Sequence, residues 1–394
     1  MIRRCIVLLL LAGFARQGTA QIPNLPTFGQ NWTDVSYPKI FYTTRDGLTA
    51  GLYYAQVRPM SFAEFFAPQP FRAIIGLDFQ FSTSGSKFVR LQARMPRLVD
   101  GWRFAGVAEL QRRAREWYLG VGNDTELDKD RINDAQPHYY RSDNRSALFR
   151  GEVQRRIIGP LRILAGIHLQ RWRIDTLKNT PTLLAEQAQA GIVPFVNQGT
   201  TDNAFRIGLV FDTRGDEVAP RSGVLAQVIY SIADSAFGDL SYTRTTLSAS
   251  GYLPFGERIS INGRVAAQIM TGSPGFGSID LVEQSDRPFR GLGGATTHRA
   301  LLDRRFLGED MVMLNLDVRY ILSEAPTLYK LTLVGFYDTG RVYLGEDFRL
   351  TTEGLKHGGG AGVIIQIFRT GVFGSTLGFG PDGGVLQFHS KWSF

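Results

Sequence analysis

"MVMLNLDVRYIL", residues 311–322, alternates without a break. Val312, Leu314, Leu316, Val318, Tyr320 and Leu322 hold the even positions, while Asn315, Asp317 and Arg319 are among the odd ones. Successive side chains of an extended chain point to opposite faces, so this segment is apolar on one side and charged on the other. A strand of a soluble sandwich has the same period but usually runs only about 5 to 6 residues. An alternation sustained over this whole stretch matches the roughly 9 to 11 residues with which a tilted barrel strand crosses a bilayer.

The pattern recurs. "ISINGRVAAQI" (259–269) sets Ile259, Ile261, Val265 and Ile269 against Ser260, Asn262, Arg264 and Gln268. "AFRIGLVFD" (204–212) and "FVRLQARM" (88–95) do the same, with Arg206, Arg90 and Arg94 on their polar faces. Each charged face needs water, which a barrel lumen supplies. We count about sixteen such segments between residues 36 and 394, separated by long connections at 117–136, 174–203, 271–309 and 343–357. With both ends of the chain on the periplasmic side, all four long connections fall outside and the inner turns, such as "LPFGE", are short. The expected fold is therefore an all-β, transmembrane antiparallel β-barrel.

Composition agrees. Arg3 and Arg4 precede an apolar run from Cys5 to Phe14, followed by "ARQGTAQ" with small residues at Gly18 and Ala20. We read residues 1–20 as a cleaved secretory signal, 21–35 as a short N-terminal segment and 36–394 as the barrel. The run is too short to span a membrane as a helix, and no later stretch reaches about 18 apolar residues. Cys5 is the only cysteine, so the exported chain is expected without a disulfide. The formal charge of +8 falls to +5 when the three arginines of the signal are removed. That mild excess gives no nucleic-acid footprint.

The final residues, "VLQFHSKWSF", place Leu386, Phe388, Trp392 and Phe394 on one face, with Ser390 as the exception. Read as a last strand, they put Phe388, Trp392 and Phe394 on the lipid side, as an aromatic anchor and a C-terminal assembly signal.

Four motifs carry a family resemblance: "YLGVGND" (118–124), "FDTRGDEVAPRSG" (211–223), "FRGLGG" (289–294) and "GFYDTGRVY" (335–343). They resemble the landmarks of the bacterial surface antigen family, the BamA/TamA-type outer-membrane insertases and translocases. The resemblance implies a sixteen-stranded barrel whose sixth outer loop folds inward, and a role in outer-membrane biogenesis by inserting or translocating protein or lipid. It implies, as partners, outer-membrane lipid, the barrel-assembly machinery, and client proteins or a second copy of the chain, with no cofactor. Family members usually carry periplasmic POTRA domains, for which residues 21–35 leave no room.

In the family, an arginine at the tip of that loop pairs with acids on the twelfth and thirteenth strands. By position Arg290, followed by Gly291, matches the arginine, and Asp317 and Asp338 match the acids. Leu292 stands where the family has an aromatic. The residues support such a latch independently, since both aspartates fall on polar faces and a planar, permanently charged guanidinium suits a partly buried carboxylate. One geometric objection stands. A hairpin centred near Ala325 pairs Asp317 with Leu333 and leaves Asp338 about five residues higher, so Arg319 becomes a rival partner for Asp317.

"FDTRGDEVAPRSG" reads as a tight periplasmic turn stiffened by Pro220. The five histidines, His138, His168, His298, His357 and His389, have no metal or triad spacing, so no enzyme and no metal site is expected. The stronger rival is an anion-preferring diffusion pore, in which Arg90, Arg94, Arg206 and Arg264 would line open water.

Overall fold

Along the strands charge is buried and apolar surface is exposed, the reverse of a water-soluble sheet. On one strand Asp317 and Arg319 are 1% and 4% exposed, while their neighbours Leu316 and Val318 are 42% and 53% exposed. Such a wall is stable only where its outside meets lipid.

The computed structural model describes residues 31–43, 46–64, 66–133, 136–285, 287–325, 327–345 and 348–394. The expected signal at 1–20 lies outside the described residues. The chain forms β1 (Thr33–Thr43), β2 (Gly47–Arg58), β3 (Ala73–Ser82), β4 (Lys87–Met95), β5 (Trp102–Trp117), β6 (Arg141–Ile158), β7 (Leu161–Asp175) and β8 (Gly199–Asp212). It continues with β9 (Gly223–Ala233), β10 (Ser241–Phe255), β11 (Ile259–Ser273), β12 (Leu281–Val282) and β13 (Phe289–Arg290). The last strands are β14 (Asp310–Ala325), β15 (Tyr329–Tyr343), β16 (Lys356–Ile367), β17 (Gly371–Gly380) and β18 (Gly383–His389). All but β12 and β13 make one 16-stranded sheet in which every strand pairs antiparallel with its neighbour in sequence. The short pair β12–β13 belongs to the sixth outer connection, residues 274–309, which also carries the helical turn α1 (Phe276–Ile279). No helix among the described residues is long and apolar enough to cross a membrane.

Two expectations need correction. In the β14–β15 ladder Asp317 lies opposite Phe336 and Asp338 opposite Asn315, with an irregularity between Ile321 and Ser323. The hairpin therefore turns about two residues later than Ala325, and the extra residue of the bulge takes back one residue of the resulting offset. The two aspartates consequently sit one rung apart on the same face.

The second correction concerns the C-terminal segment. The last strand stops at His389 instead of running to residue 394. Phe388 points outward and is 66% exposed, but Trp392 is buried and packs with Val334, Ile364 and Val372 inside. Beyond Ser390 the chain leaves the wall and enters the lumen, where lumen arginines face its aromatic rings.

Candidate functional site

The sixth outer loop descends into the lumen, where four sets of contacts hold its course, one within the loop and three to its surroundings. Glycines make its path possible. Gly291, Gly293 and Gly294 have φ of +50°, +131° and +92°, in the left-handed region that other residues avoid. A Cβ on Gly293 would also lie 2.1 Å from the Leu302 carbonyl oxygen.

The first fastening is internal. Asp280 accepts from Arg290 Nη1 at 2.6 Å and from Arg304 Nε at 2.6 Å. Burial alone would raise its carboxyl pKa, but the two guanidiniums outweigh that and hold it below the usual range. The second joins loop to wall. Glu283 accepts from Arg150 of β6 at 3.1 Å and pairs with Arg206 of β8 at 2.8 Å. Arg244 of β10 lies 3.8 Å away. Burial again opposes ionisation of Glu283, and the three arginines together push its pKa well below normal.

The third fastening is the expected latch, made by a different arginine. Arg299 donates from Nη1 to Asp317 Oδ1 at 2.6 Å and from Nη2 to Asp338 Oδ1 at 2.7 Å. Its Nε and its backbone N–H both reach Asp338 Oδ2, at 2.9 and 2.7 Å. Asn315 adds a bond to Asp338 at 2.8 Å, and Arg319 occupies the other oxygen of Asp317 at 2.8 Å. The planar fork of one guanidinium spans two carboxylates one rung apart, which is why the register matters. Arg290, expected in this position, is spent on Asp280 and its side chain remains 39% exposed. The rivalry between Arg319 and the latch also resolves, since Asp317 has an oxygen for each.

The fourth fastening sits toward the outer rim. Arg305 bonds Asp382 at 2.9 Å and the hydroxyl of Thr125 at 2.6 Å. Gln387 of β18 donates to the Leu301 carbonyl at 2.8 Å.

Apolar contacts complete the seat. Leu292, fully buried, packs with Phe289, Phe306, Met311, Met313 and Val342. Leu292, at the position where the family resemblance implies an aromatic, thus sits in an apolar cluster that holds two phenylalanine rings. Ala300 presses against the wall where that wall has no side chains. A Cβ built on Gly358 would stand 2.4 Å from the Ala300 Cβ, and one on Gly378 2.7 Å from its Cα.

Below the loop, the turn at 213–222 and the C-terminal segment cover the periplasmic side. Asp212 holds Arg214 bidentately, with both bonds at 2.9 Å. Val218 and Ala219 pack on the Trp392 cluster. The turn is therefore structural, as its sequence suggests, but it also folds inward. The buried histidines have ordinary roles: His389 bonds Thr376 at 2.9 Å, His168 lies 3.2 Å from Gln170, and His298 of the loop lies 3.1 Å from the Lys356 carbonyl.

Arg299, Glu283, Asp280 and Arg305 escaped sequence reasoning. A weak signal existed in "HRALLDRRF" (298–306), where a charged loop carries Ala300 and Leu301 beside Arg299. A solvated loop needs no such apolar pair.

These features define an outer-membrane β-barrel filled by its own sixth outer loop. The chain belongs to the Omp85 superfamily: the Omp85 superfamily domain matches residues 75–368, about three quarters of its length. Among solved structures it is similar to BamA from Haemophilus ducreyi lacking POTRA domains 1–3, with a TM-score of 0.55 and 11% identity, covering 91% of this chain and 69% of that one. It is similar also to CdiB from Escherichia coli, with a TM-score of 0.57, 12% identity and coverage of 91% and 61%. For CdiB from Acinetobacter baumannii the TM-score is 0.50 at 9% identity, with coverage of 91% and 59%. The chain thus spans less than two thirds of either CdiB, and at these identities the likeness is one of fold. No curated protein matches the chain.

Proposed function

We propose that this barrel takes part in outer-membrane biogenesis, moving or inserting protein or lipid, without enzymatic chemistry of its own. The observation that carries this reading is the Arg299 latch between Asp317 and Asp338. It holds a movable element inside a lumen, and a passive pore has no use for it. Arg206 and Arg264, which in an anion pore would face open water, are each 1% exposed and engaged with the loop. The diffusion-pore alternative is accordingly disfavoured.

On this reading the loop and the C-terminal segment seal the lumen at rest, and the working partners are outer-membrane lipid, client proteins and, during its own assembly, the barrel-assembly machinery. A second copy is a further candidate partner. Export through a cleaved signal at residues 1–20 and a barrel domain over 36–394 complete the proposal, with Arg290 and Gly291 shaping the loop tip.

The test is photo-crosslinking in living cells from lumen positions such as Gln111 or Ser146, which line a cavity of about 640 Å³. Recovery of specific outer-membrane proteins or lipid, enhanced when the latch is weakened, is expected. Failure to capture either, together with a large steady conductance in planar bilayers, would return the molecule to the pore class.

A further inference from the structure

One lumen arginine touches the plug loop and the C-terminal segment at once, and a second joins that segment to the wall aspartate that holds the loop. Arg264 of β11 donates Nη1 to the Ser393 carbonyl at 3.0 Å, while its Nη2 reaches the Thr296 carbonyl in the loop. The same guanidinium lies 4.4 Å from the Phe289 ring of the loop and 5.1 Å from the Phe394 ring of the tail. Arg319 of β14 shares Asp317 with the latch, at 2.8 Å, and donates to the main-chain oxygen of Phe394 at 3.3 Å. Its guanidinium stacks 4.0 Å from the Trp392 ring, and its Nη1 holds the Pro220 carbonyl of the inner turn at 3.3 Å. Ser390 and Lys391 line the same cavity as Arg290 and Thr296.

We propose that residues 390–394 and the sixth outer loop form one cooperative unit, so that the loop leaves its seat and the tail leaves the lumen in a single transition. The physical ground is the sharing of donors. A guanidinium that bonds two segments loses part of its fork when either departs, and the remaining buried group must then be resolvated. Each segment therefore stabilises the seat of the other, which makes the half-released states the costly ones.

The tail's seat is also poorly closed. The Trp392 indole N–H is buried without a partner among the described residues. A group in that condition gains hydrogen bonds on leaving. The tucked position thus depends on the arginines and on the loop above rather than on a saturated set of bonds of its own.

Labelling of buried cysteines tests this. With Cys5, the sole native cysteine, exchanged for Ser, Ser393→Cys is placed in the tail and Thr200→Cys, equally buried on β8, serves as a wall control. The folded protein in liposomes is exposed to a small maleimide, and only the heat-modifiable fraction is scored. Arg299→Ala, which cuts the latch but removes no bond to the tail, is expected to speed labelling at residue 393 about tenfold and to leave residue 200 unchanged, since labelling follows the open population. Reciprocally, Trp392→Ala with Phe394→Ala should speed labelling of Thr296→Cys by a similar factor. If Arg299→Ala does not fold, Arg299→Lys replaces it with a smaller effect of the same sign. Rates at residues 393 and 296 that stay within twofold of the parent would overturn the coupling, and so would an equal rise at residue 200, which would mean general loosening.

Discussion

Arg299 meets Asp338 three times: its backbone N–H and Nε share one carboxylate oxygen, and Nη2 takes the other. Because one of these bonds is made by the main chain, the aspartate fixes the course of the loop as well as the position of a side chain. Both carboxylates of the latch are wholly buried.

Arg299→Ala leaves Asp338 and Asp317 facing an unfilled space. Breaking a buried pair on one side costs on the order of 3 kcal/mol, moderated here because Arg319 and Asn315 remain. The midpoint of heat-induced unfolding, read by gel mobility, should fall. Arg299→Lys should recover only part of the loss, since it keeps charge without the fork. Additivity of Arg299→Ala with Asp338→Asn in a double-mutant cycle would contradict the latch.

Arg290→Ala should do far less, by about 1 kcal/mol or under. Its side chain is partly exposed, and Asp280 keeps Arg304. An effect as large as that of Arg299→Ala would show that the loop tip is held otherwise than described.

Acid should loosen the plug, with a sign that follows from Glu283. Burial disfavours its charged form, but Arg150, Arg206 and Arg244 prevail and hold its pKa far below that of the unfolded chain. A depressed folded pKa contributes stability that is complete above the unfolded value, near 4.5, and is lost as pH falls below it. Asp280 adds in the same direction. The heating midpoint should thus stay level from about pH 8 to pH 6 and drop below about pH 5. Glu283→Gln should lower the midpoint at neutral pH and flatten the acid response, and an undiminished acid drop in that variant would exclude Glu283 as its source.

Gly358→Ala places a methyl group where the Ala300 methyl already stands. Overpacking of this kind costs about 1 to 3 kcal/mol. We expect a lower heating midpoint and larger, noisier conductance, with Ala300→Gly restoring much of both. No rescue would mean that the glycine serves the sheet and not the loop.

The wall was legible in the sequence because the period of two reports directly on which face is wet, and it placed sixteen strands within a few residues of their observed positions. Three features were not. The exact turn position and the bulge after Ile321 leave no mark in an alternating pattern, so the turn was placed about two residues early and the pairing of Asp317 was misjudged by three residues. The final residues keep their alternation through Trp392 and Phe394 although they have left the sheet, because a period says nothing about pairing partners. The loop was recognised by its glycines, yet which of Arg290, Arg299, Arg304 and Arg305 reaches the wall depends on its path, and that path is set by contacts over a hundred residues away in sequence, such as Arg150 with Glu283.

The fastenings of the loop lie on opposite sides of the sheet. On one side are Arg150, Arg206 and Arg244 of β6, β8 and β10, and on the other Asp338 of β15 and Asp382 after β17. Strands of a curved wall are joined only to their neighbours, so hydrogen bonds along the sheet do not themselves set its width. The loop acts as a spoke across that wall. While it is seated the cross-section is set by ion pairs in the interior, and once it is released the barrel's roundness is left to the lipid pressing on it from outside.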